Sequence, residues 1–226
     1  MQADAAHRRL RELILAGDYA PGQRLTEMEV SATLAMSRTP VREAFRALVS
    51  DGLVAPDGRG VAVVALGAGA LRDAYQVRAA LEAMTADLAA RRQAAGEIAP
   101  AALAALRREA DAADEATRAA HGATDAAARA GHLARGVAHN RRFHQRIAAL
   151  AGNPVATGIL DRLWDQIVVS TRDSLASPAR PAHVAHQHDT LLAAITEGRA
   201  ADAWAAAHAH VLDTHTAGTH DPEEQS

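Results

Sequence analysis

The histidines are the residues of this chain with the most chemical potential, and they are unevenly spread. Of twelve, His7 alone lies in the first half, and the other eleven fall between His121 and His220. Asn140 and His144 stand four residues apart, so on a helix an amide oxygen and an imidazole can aim at one point. His188 shares a helical phase with Leu191, Leu192 and Ile195, which predicts an inward ring. His186 shares its phase with Asp189 and Thr190 and should meet solvent. Near the end of the chain, phase does not choose between His208 and His210, since both align with Trp204 and Val211. Three neutral imidazoles and one oxygen ligand on facing helices suit a divalent transition metal: Zn²⁺, Ni²⁺, Mn²⁺ or Fe²⁺. Such a site needs unprotonated rings, so its affinity should weaken below about pH 6.

A second constellation lies near the N-terminus. Arg38 and Arg42 are four residues apart and Arg46 extends the row by another turn, so the three guanidinium groups project from one helix face. An arginine can grip O6 and N7 of guanine with two hydrogen bonds, worth about 1–3 kcal/mol of discrimination. Ser37, Thr39 and the N–H groups of the helix start suit phosphate. Arg59, in Pro56-Asp-Gly-Arg-Gly60, can reach a minor groove or the backbone. Spacing alone also fits a solvated charged face.

The elements that must position these residues follow from periodicity and punctuation. Over 4–16, Ala6, Leu10, Leu13 and Ile14 recur at helical spacing, and Asp18–Gly22 reads as a turn. Thr26 and Glu29 form a capping box ahead of Val30 and Leu34. Met36-Ser37 is a break, after which a helix over 39–51 starts with Pro40 in its first turn and presents Val41, Ala44, Phe45 and Leu48. Leu53-Val54 and Val61–Val64 flank the Gly-containing stretch as a hairpin. Helix, turn, helix and hairpin is the order of a winged helix-turn-helix, here assigned to residues 1–64. Residues 65–70 read as a flexible linker. Beyond it the chain is helix-forming, with stops near Gly96–Pro100, Gly152–Pro154, Ser177–Pro181 and Gly198. Six helices are expected, over about 70–93, 99–119, 123–151, 154–175, 180–197 and 200–217, as an antiparallel bundle spanning 71–217 with a frayed tail over 218–226. The fold class is therefore mainly α.

Composition narrows the classes. Apolar residues make up 49% but aromatics only 3%, so the core must be built from Ala, Leu, Val and Ile. No cysteine is present, which excludes a disulfide framework and thiolate ligands. No run of 18 apolar residues or signal-type block appears, which predicts a soluble cytoplasmic protein with no membrane partner. The net charge of −3 gives no warning of nucleic-acid binding, and all 24 basic residues are arginine.

Pro21-Gly-Gln-Arg-Leu-Thr-Glu27, Ser37-Arg-Thr-Pro-Val-Arg-Glu-Ala44, Asp51-Gly-Leu-Val54 and Gly58-Arg-Gly60 together resemble the DNA-binding domain of the GntR family of transcription regulators. The resemblance covers nearly all of 7–64. It implies that Arg38 and Arg42 are the main readers, supported by Thr39 and Gly60. One departure is Met28, where the family often has an arginine that touches DNA. Arg78-Ala-Ala-Leu-Glu82, Asn140-Arg-Arg-Phe-His144, Leu150-Ala-Gly-Asn-Pro154, His188 and His210 resemble the sensor (FCD) domain of the FadR-like branch over about 70–215. Six helices would place it with the VanR-like subgroup. The resemblance selects His210 over His208 and implies a metal held by Asn140, His144, His188 and His210, with Asn140 at a position where relatives often have Asp. It further implies a small organic acid effector, for which Arg78 is a candidate partner, with an ion pair to Glu82 as the competing role for that arginine. The function implied is a homodimeric, ligand-responsive repressor on an inverted-repeat operator in double-stranded DNA, and not an enzyme. Two other classes are open: a metal sensor in which the ion itself is the effector, and a His-ligated hydrolase or oxygenase. The last would need a general base, and no Asp or Glu is paired to the histidines by sequence.

Overall fold

The computed structural model describes residues 2–175 and 184–219, with side chains described for 2–171 and 187–215. The chain divides into two compact units, one formed by residues 1–71 with 162–172 and the other by 72–161 with 173–226.

The first unit contains α1 (Gln2–Ala16), β1 (Arg24–Thr26), α2 (Glu27–Leu34), α3 (Arg38–Ser50), β2 (Val54–Asp57) and β3 (Gly60–Val63). The expected capping box forms: Thr26 Oγ1 accepts from the Glu29 N–H at 3.3 Å, and Glu29 Oε2 accepts from the Thr26 N–H at 3.1 Å. α2 ends at Ala35, which adopts a left-handed φ of 52°, and the chain turns directly into α3. The α3 face carrying Val41, Ala44, Phe45 and Leu48 is buried against Leu10 and Ile14 of α1. The hairpin expected after Gly52 is present. β2 and β3 pair with Asp57 opposite Gly60, and the two-residue loop Gly58-Arg59 has a positive φ only at Gly58, as a type II′ turn requires.

Two features were not anticipated. Arg24-Leu-Thr26 is a third strand, giving an antiparallel sheet of order β1-β3-β2. A three-residue strand is too short for period-two alternation to reveal it. In addition, residues 162–172, within the helix α7 (Pro154–Leu175), cluster with this unit, although by sequence they belong to the helical region. Val169 joins its apolar core, and Asp165, buried, takes a two-pronged ion pair from Arg11 at 2.5 and 2.6 Å.

The remaining elements are helices, α4 (Ala68–Ala94), α5 (Pro100–Gly122), α6 (Ala126–Leu150), α7 (Pro154–Leu175), α8 (Val184–Thr196) and α9 (Ala200–Thr219), and apart from the start of α4 and residues 162–172 of α7 they form the second unit. All six helices match expectation to within a few residues. The linker assigned to 65–70 is shorter than expected, because α4 starts at Ala68, where Leu71 N–H donates to Gly67 O. Alanine's high helix propensity carries the helix back over Gly69. The stop at Ser177–Pro181 and the tail beyond residue 219 lie outside the described residues, and α9 includes 218 and 219. α5 packs on α6 and α8, and α8 on α9. The core is built mostly from alanine (Ala83, Ala86, Ala90, Ala110, Ala203, Ala207) with Leu106, Phe143, Leu191 and Ile195 between them. Small side chains bring helix axes close, so residues lining the interior meet at short distances.

Gly60 tests the sheet. A Cβ there would lie 2.2 Å from Leu25 O, a backbone atom of the neighbouring strand. Gly60→Ala is expected to destabilise the first unit by about 2 kcal/mol or more through forced strand separation. Urea denaturation followed by circular dichroism should show a lowered midpoint. An unchanged midpoint would mean that β1 does not pair here.

Candidate functional site

The N-terminal unit displays its arginines as expected. Ser37, Arg38, Thr39, Arg42, Arg46 and Arg59 are all exposed. Ser37 is the N-cap of α3 but makes no side-chain capping bond, so its hydroxyl remains available beside the helix N-terminus. Arg42, Arg46, Arg59 and Gly60 line a groove of about 310 Å³ between α3 and the hairpin, over a floor of Phe45, Val49 and Val61. Gly60 enters the groove as backbone, and its lack of a side chain is required by the close approach of β1. Met28 is 65% exposed on α2, so a thioether occupies the surface at that position. An acid also joins the row: Glu27, the first residue of α2, accepts two hydrogen bonds from Arg42 at 2.6 and 2.8 Å.

The second unit gathers the histidines. His144 on α6, His188 on α8 and His210 on α9 are buried, and their ligand nitrogens lie within 4.8 Å of one another. His208 is only half-buried and stacks on Trp204, with ring centroids 5.0 Å apart, so the structure settles the choice that phase left open. The side chain of His186 lies outside those described. Asn140, one turn before His144, is also buried, and its Oδ1 is 2.8 Å from His188 Nε2. Phe143 closes one side, 4.7 Å from the His188 ring and 5.2 Å from that of His144, centroid to centroid. All four residues expected to act together are thus brought together.

Their outer nitrogens explain how they are held. His144 Nδ1 is 2.8 Å from Glu82 Oε2 on α4. His210 Nδ1 is 2.9 Å from Gln187 Oε1, and Gln187 donates its amide N–H to Asp213 at 2.6 Å, which fixes the carbonyl toward the ring. His188 Nδ1 has Asp114 Oδ1 of α5 at 3.5 Å. For His144 and His210 the Nδ1 faces an oxygen acceptor within hydrogen-bond distance, which places the proton on Nδ1 and the lone pair on Nε2, whereas His188 Nδ1 makes no hydrogen bond among the described residues and its Nε2 meets Asn140 Oδ1 instead. His144 Nε2 and His210 Nε2 then face each other at 3.1 Å as two acceptors. That contact is unfavourable unless a cation lies between them. Three buried imidazoles whose ligand nitrogens lie within 4.8 Å of one another, with one amide oxygen beside them, fit the donor set of a divalent transition metal.

Charge in the pocket is arranged in a chain. Arg78 is almost fully buried and donates from Nε to Glu82 Oε1 at 2.7 Å, so the ion pair posed by sequence as its competing role is formed. Burial alone would raise the Glu82 carboxyl, but Arg78 and then His144 override it and hold it down at about 2. Burial pushes the His144 imidazole below its ordinary value, against the opposing pull of Glu82, so the ring stays neutral. Sequence reasoning assigned Glu82 only to Arg78 and found no carboxylate for the histidines. Glu82 on α4 faces His144, Gln187 on α8 faces His210, and Asp114 on α5 lies 3.5 Å from His188 Nδ1, each on a different helix from the ring it approaches, a relation that no local spacing encodes.

Comparison with known proteins agrees with both halves. The profile of the gntR family of bacterial regulatory proteins matches residues 2–63, and that of the FCD domain matches residues 73–213. The chain belongs to the FCD-containing branch of the GntR family. It is 34% identical over 83 residues to the HTH-type transcriptional regulator YdhC of Bacillus subtilis, over 36% of this chain and 37% of that one. It is 40% identical over 82 residues to the Nta operon transcriptional regulator of Aminobacter aminovorans, over 36% of this chain and 39% of that one. The chain thus spans under two fifths of the length of these relatives. Among solved structures, Escherichia coli McbR/YncC has a TM-score of 0.76 at 21% identity, covering 94% of each chain. A GntR regulator from Rhodococcus sp. RHA1 has 0.68 at 22%, covering 95% of each. These structures share the fold. The families and relatives are transcription regulators and not enzymes, and the helix-turn-helix of this GntR/FCD protein is a DNA-binding one. No helix among the described residues is long and apolar enough to cross a membrane.

The Glu82 carboxylate gives a pH signature with a defined sign. It titrates near 2 in the fold and near 4.5 when unfolded, so the unfolded chain binds the extra proton between those values. Its stabilisation is complete above about pH 4.5 and is lost as pH falls toward 2. Glu109, held down to about 2 by His139, Arg142 and Arg146 against its own desolvation, adds to the same window. Glu82→Gln should cost about 3 kcal/mol at pH 7 by stranding a buried guanidinium, and should flatten part of the slope below pH 4.5. Thermal melts across pH 2–7 check this, and a slope as steep as that of the parent would show that Glu82 is not ionised in the fold.

Proposed function

We propose that this regulator is a homodimeric repressor whose helical domain binds a divalent transition metal and, through it, a small carboxylate that controls operator affinity. The single observation behind the metal is the convergence of the ligand nitrogens of His144, His188 and His210 within 4.8 Å in a buried site. Asn140 completes the donor set with its amide oxygen. A divalent ion bound there would supply an electrophilic anchor for a carboxylate oxygen.

The charge balance favours an anionic effector. The four ligands are neutral, so none reduces the charge of a divalent ion. Of the two carboxylates behind them, Glu82 is already matched by Arg78, and only Asp114 is left to compensate. The pocket with its metal is net positive and draws an anion. An entering carboxylate would also compete with Glu82 for Arg78, the buried guanidinium linked to the cluster through Glu82 and His144. Effector binding would then bias the placement of the two DNA heads and release the operator. In this reading Arg38 and Arg42 contact base edges in the major groove of each inverted-repeat half-site. Ser37, Thr39, Arg46, Arg59 and Gly60 position the backbone.

Calorimetric titration of the chelated protein with Zn²⁺, Ni²⁺ and Mn²⁺ should give one site per chain. The affinity should be at least about 100-fold weaker in His188→Ala and should fall below about pH 6 as the imidazoles protonate. Operator duplexes selected from a random library should then lose affinity when one of a panel of carboxylates is added to metal-loaded protein. If no carboxylate alters DNA binding while a chelator does, the ion itself is the signal. If the histidine variant binds metal like the parent, the site is wrong.

A further inference from the structure

The DNA-facing surface contains one acid whose presence needs a reason. Glu27 lies among Arg38, Arg42 and Arg46 and lines the same groove as Arg59. A carboxylate on a surface meant for phosphates opposes binding by repulsion and weakens the sequence-independent part of affinity. Its geometry is specific: Oε1 accepts from Arg42 Nε at 2.6 Å and Oε2 from Arg42 Nη2 at 2.8 Å, a two-pronged pair in which Arg42 is about half-exposed and Glu27 less so. Arg42, followed by Arg38 and Arg46, keeps the Glu27 carboxyl below its ordinary value, so it is charged at neutral pH.

We infer that Glu27 is a positioning residue for sequence readout: it grips the side edge of the Arg42 guanidinium and presents the other edge, Nη1 with the second hydrogen of Nη2, to a base. An arginine has five donors in a rigid planar fork. Two are committed to Glu27, and of the three that remain, one on Nη1 and the one on Nη2 form an end-on pair with the spacing that matches O6 and N7 of guanine. Without its clamp, Arg42 is a long flexible cation that any nearby phosphate satisfies equally well. Glu27 therefore lowers general DNA affinity and raises discrimination at one base pair per half-site. The competing role is local: an acid in the first turn of α2 also favours that helix through its dipole. That role predicts a stability change and no change in base preference.

This inference rests on Arg42 being a base reader, and the test separates the two. Full-length parent, Glu27→Gln, Arg42→Ala and the double variant are each used to select duplexes from a random library, and binding to the parent's selected duplex and to a random duplex is measured by fluorescence anisotropy over a salt series. Arg42→Ala is expected to erase the preference at one base pair of each half-site. Glu27→Gln is expected to weaken the preference at that same pair about 5- to 10-fold, part of the discrimination of one bidentate arginine. It should also bind random duplex more tightly than the parent and show a steeper salt dependence. In the Arg42→Ala background, Glu27→Gln should change the base preference no further. If Arg42→Ala leaves the selected sequence intact, the assignment of Arg42 as reader fails. If Arg42→Ala erases a preference that Glu27→Gln leaves unchanged or shifts at a different pair, Glu27 is not its positioner. Should Glu27→Gln melt below the temperature of the binding assay, Glu27→Asp, which keeps the charge but shortens the reach, must show the same selective loss.

Discussion

The helical domain depends on an ion pair where charge is expensive. Arg78 and Glu82 are both nearly inaccessible to water, one turn apart on α4, in a core whose nearest material is largely alanine. Burying either charge alone would cost several kcal/mol, and burying both is tolerated only if the geometry is good and the remaining oxygens are satisfied. Glu82 meets that condition by spending one oxygen on Arg78 and the other on His144. The ion pair therefore settles the tautomer of His144, that tautomer turns the ring's lone pair inward, and the inward lone pair meets His210 across 3.1 Å. The cluster follows from this sequence of local necessities, each imposed by low dielectric.

An alanine core makes such a cluster possible. With 3% aromatic residues, the helices cannot be spaced apart by large side chains, and Phe143 stands out because it fills the space beside the rings. Close helices bring α4, α6, α8 and α9 within one imidazole's reach of a common point. The same closeness favours protein partners for the polar atoms there. Glu82 faces His144, Gln187 faces His210 and is oriented in turn by Asp213, and His188 meets Asn140 through its Nε2.

Much of the architecture was legible before any coordinates, because it is carried by signals short in sequence. The Thr26–Glu29 capping box, the Gly58-Arg59 turn and the helix stops at Gly96, Gly152 and Gly198 all lie within a few residues of what they control. The inward phase of His188 was likewise read from its own helix. What escaped were relations between distant positions: β1 beside β3, the middle of α7 grouped with the N-terminal unit, and the carboxylates behind the histidines. His208 and His210 show the boundary well. Both fit the phase of α9, since a helix of alanine has no strong hydrophobic face to break the tie, and only the packed structure places His210 inside and stacks His208 on Trp204.

Two glutamate–arginine pairs at opposite extremes of burial complete the physical picture. In Arg78–Glu82 the low dielectric makes separation costly unless another anion takes the place of Glu82, so the pair sets a tautomer and holds a charge in place. In Arg42–Glu27 water screens both groups and the pair is worth little to stability. Its main consequence is geometric, because the two hydrogen bonds fix the plane of the Arg42 guanidinium. The same two residue types thus form a buried pair that fixes its neighbours and an exposed, two-pronged pair that orients one guanidinium, and solvent exposure is what most changes their energetics.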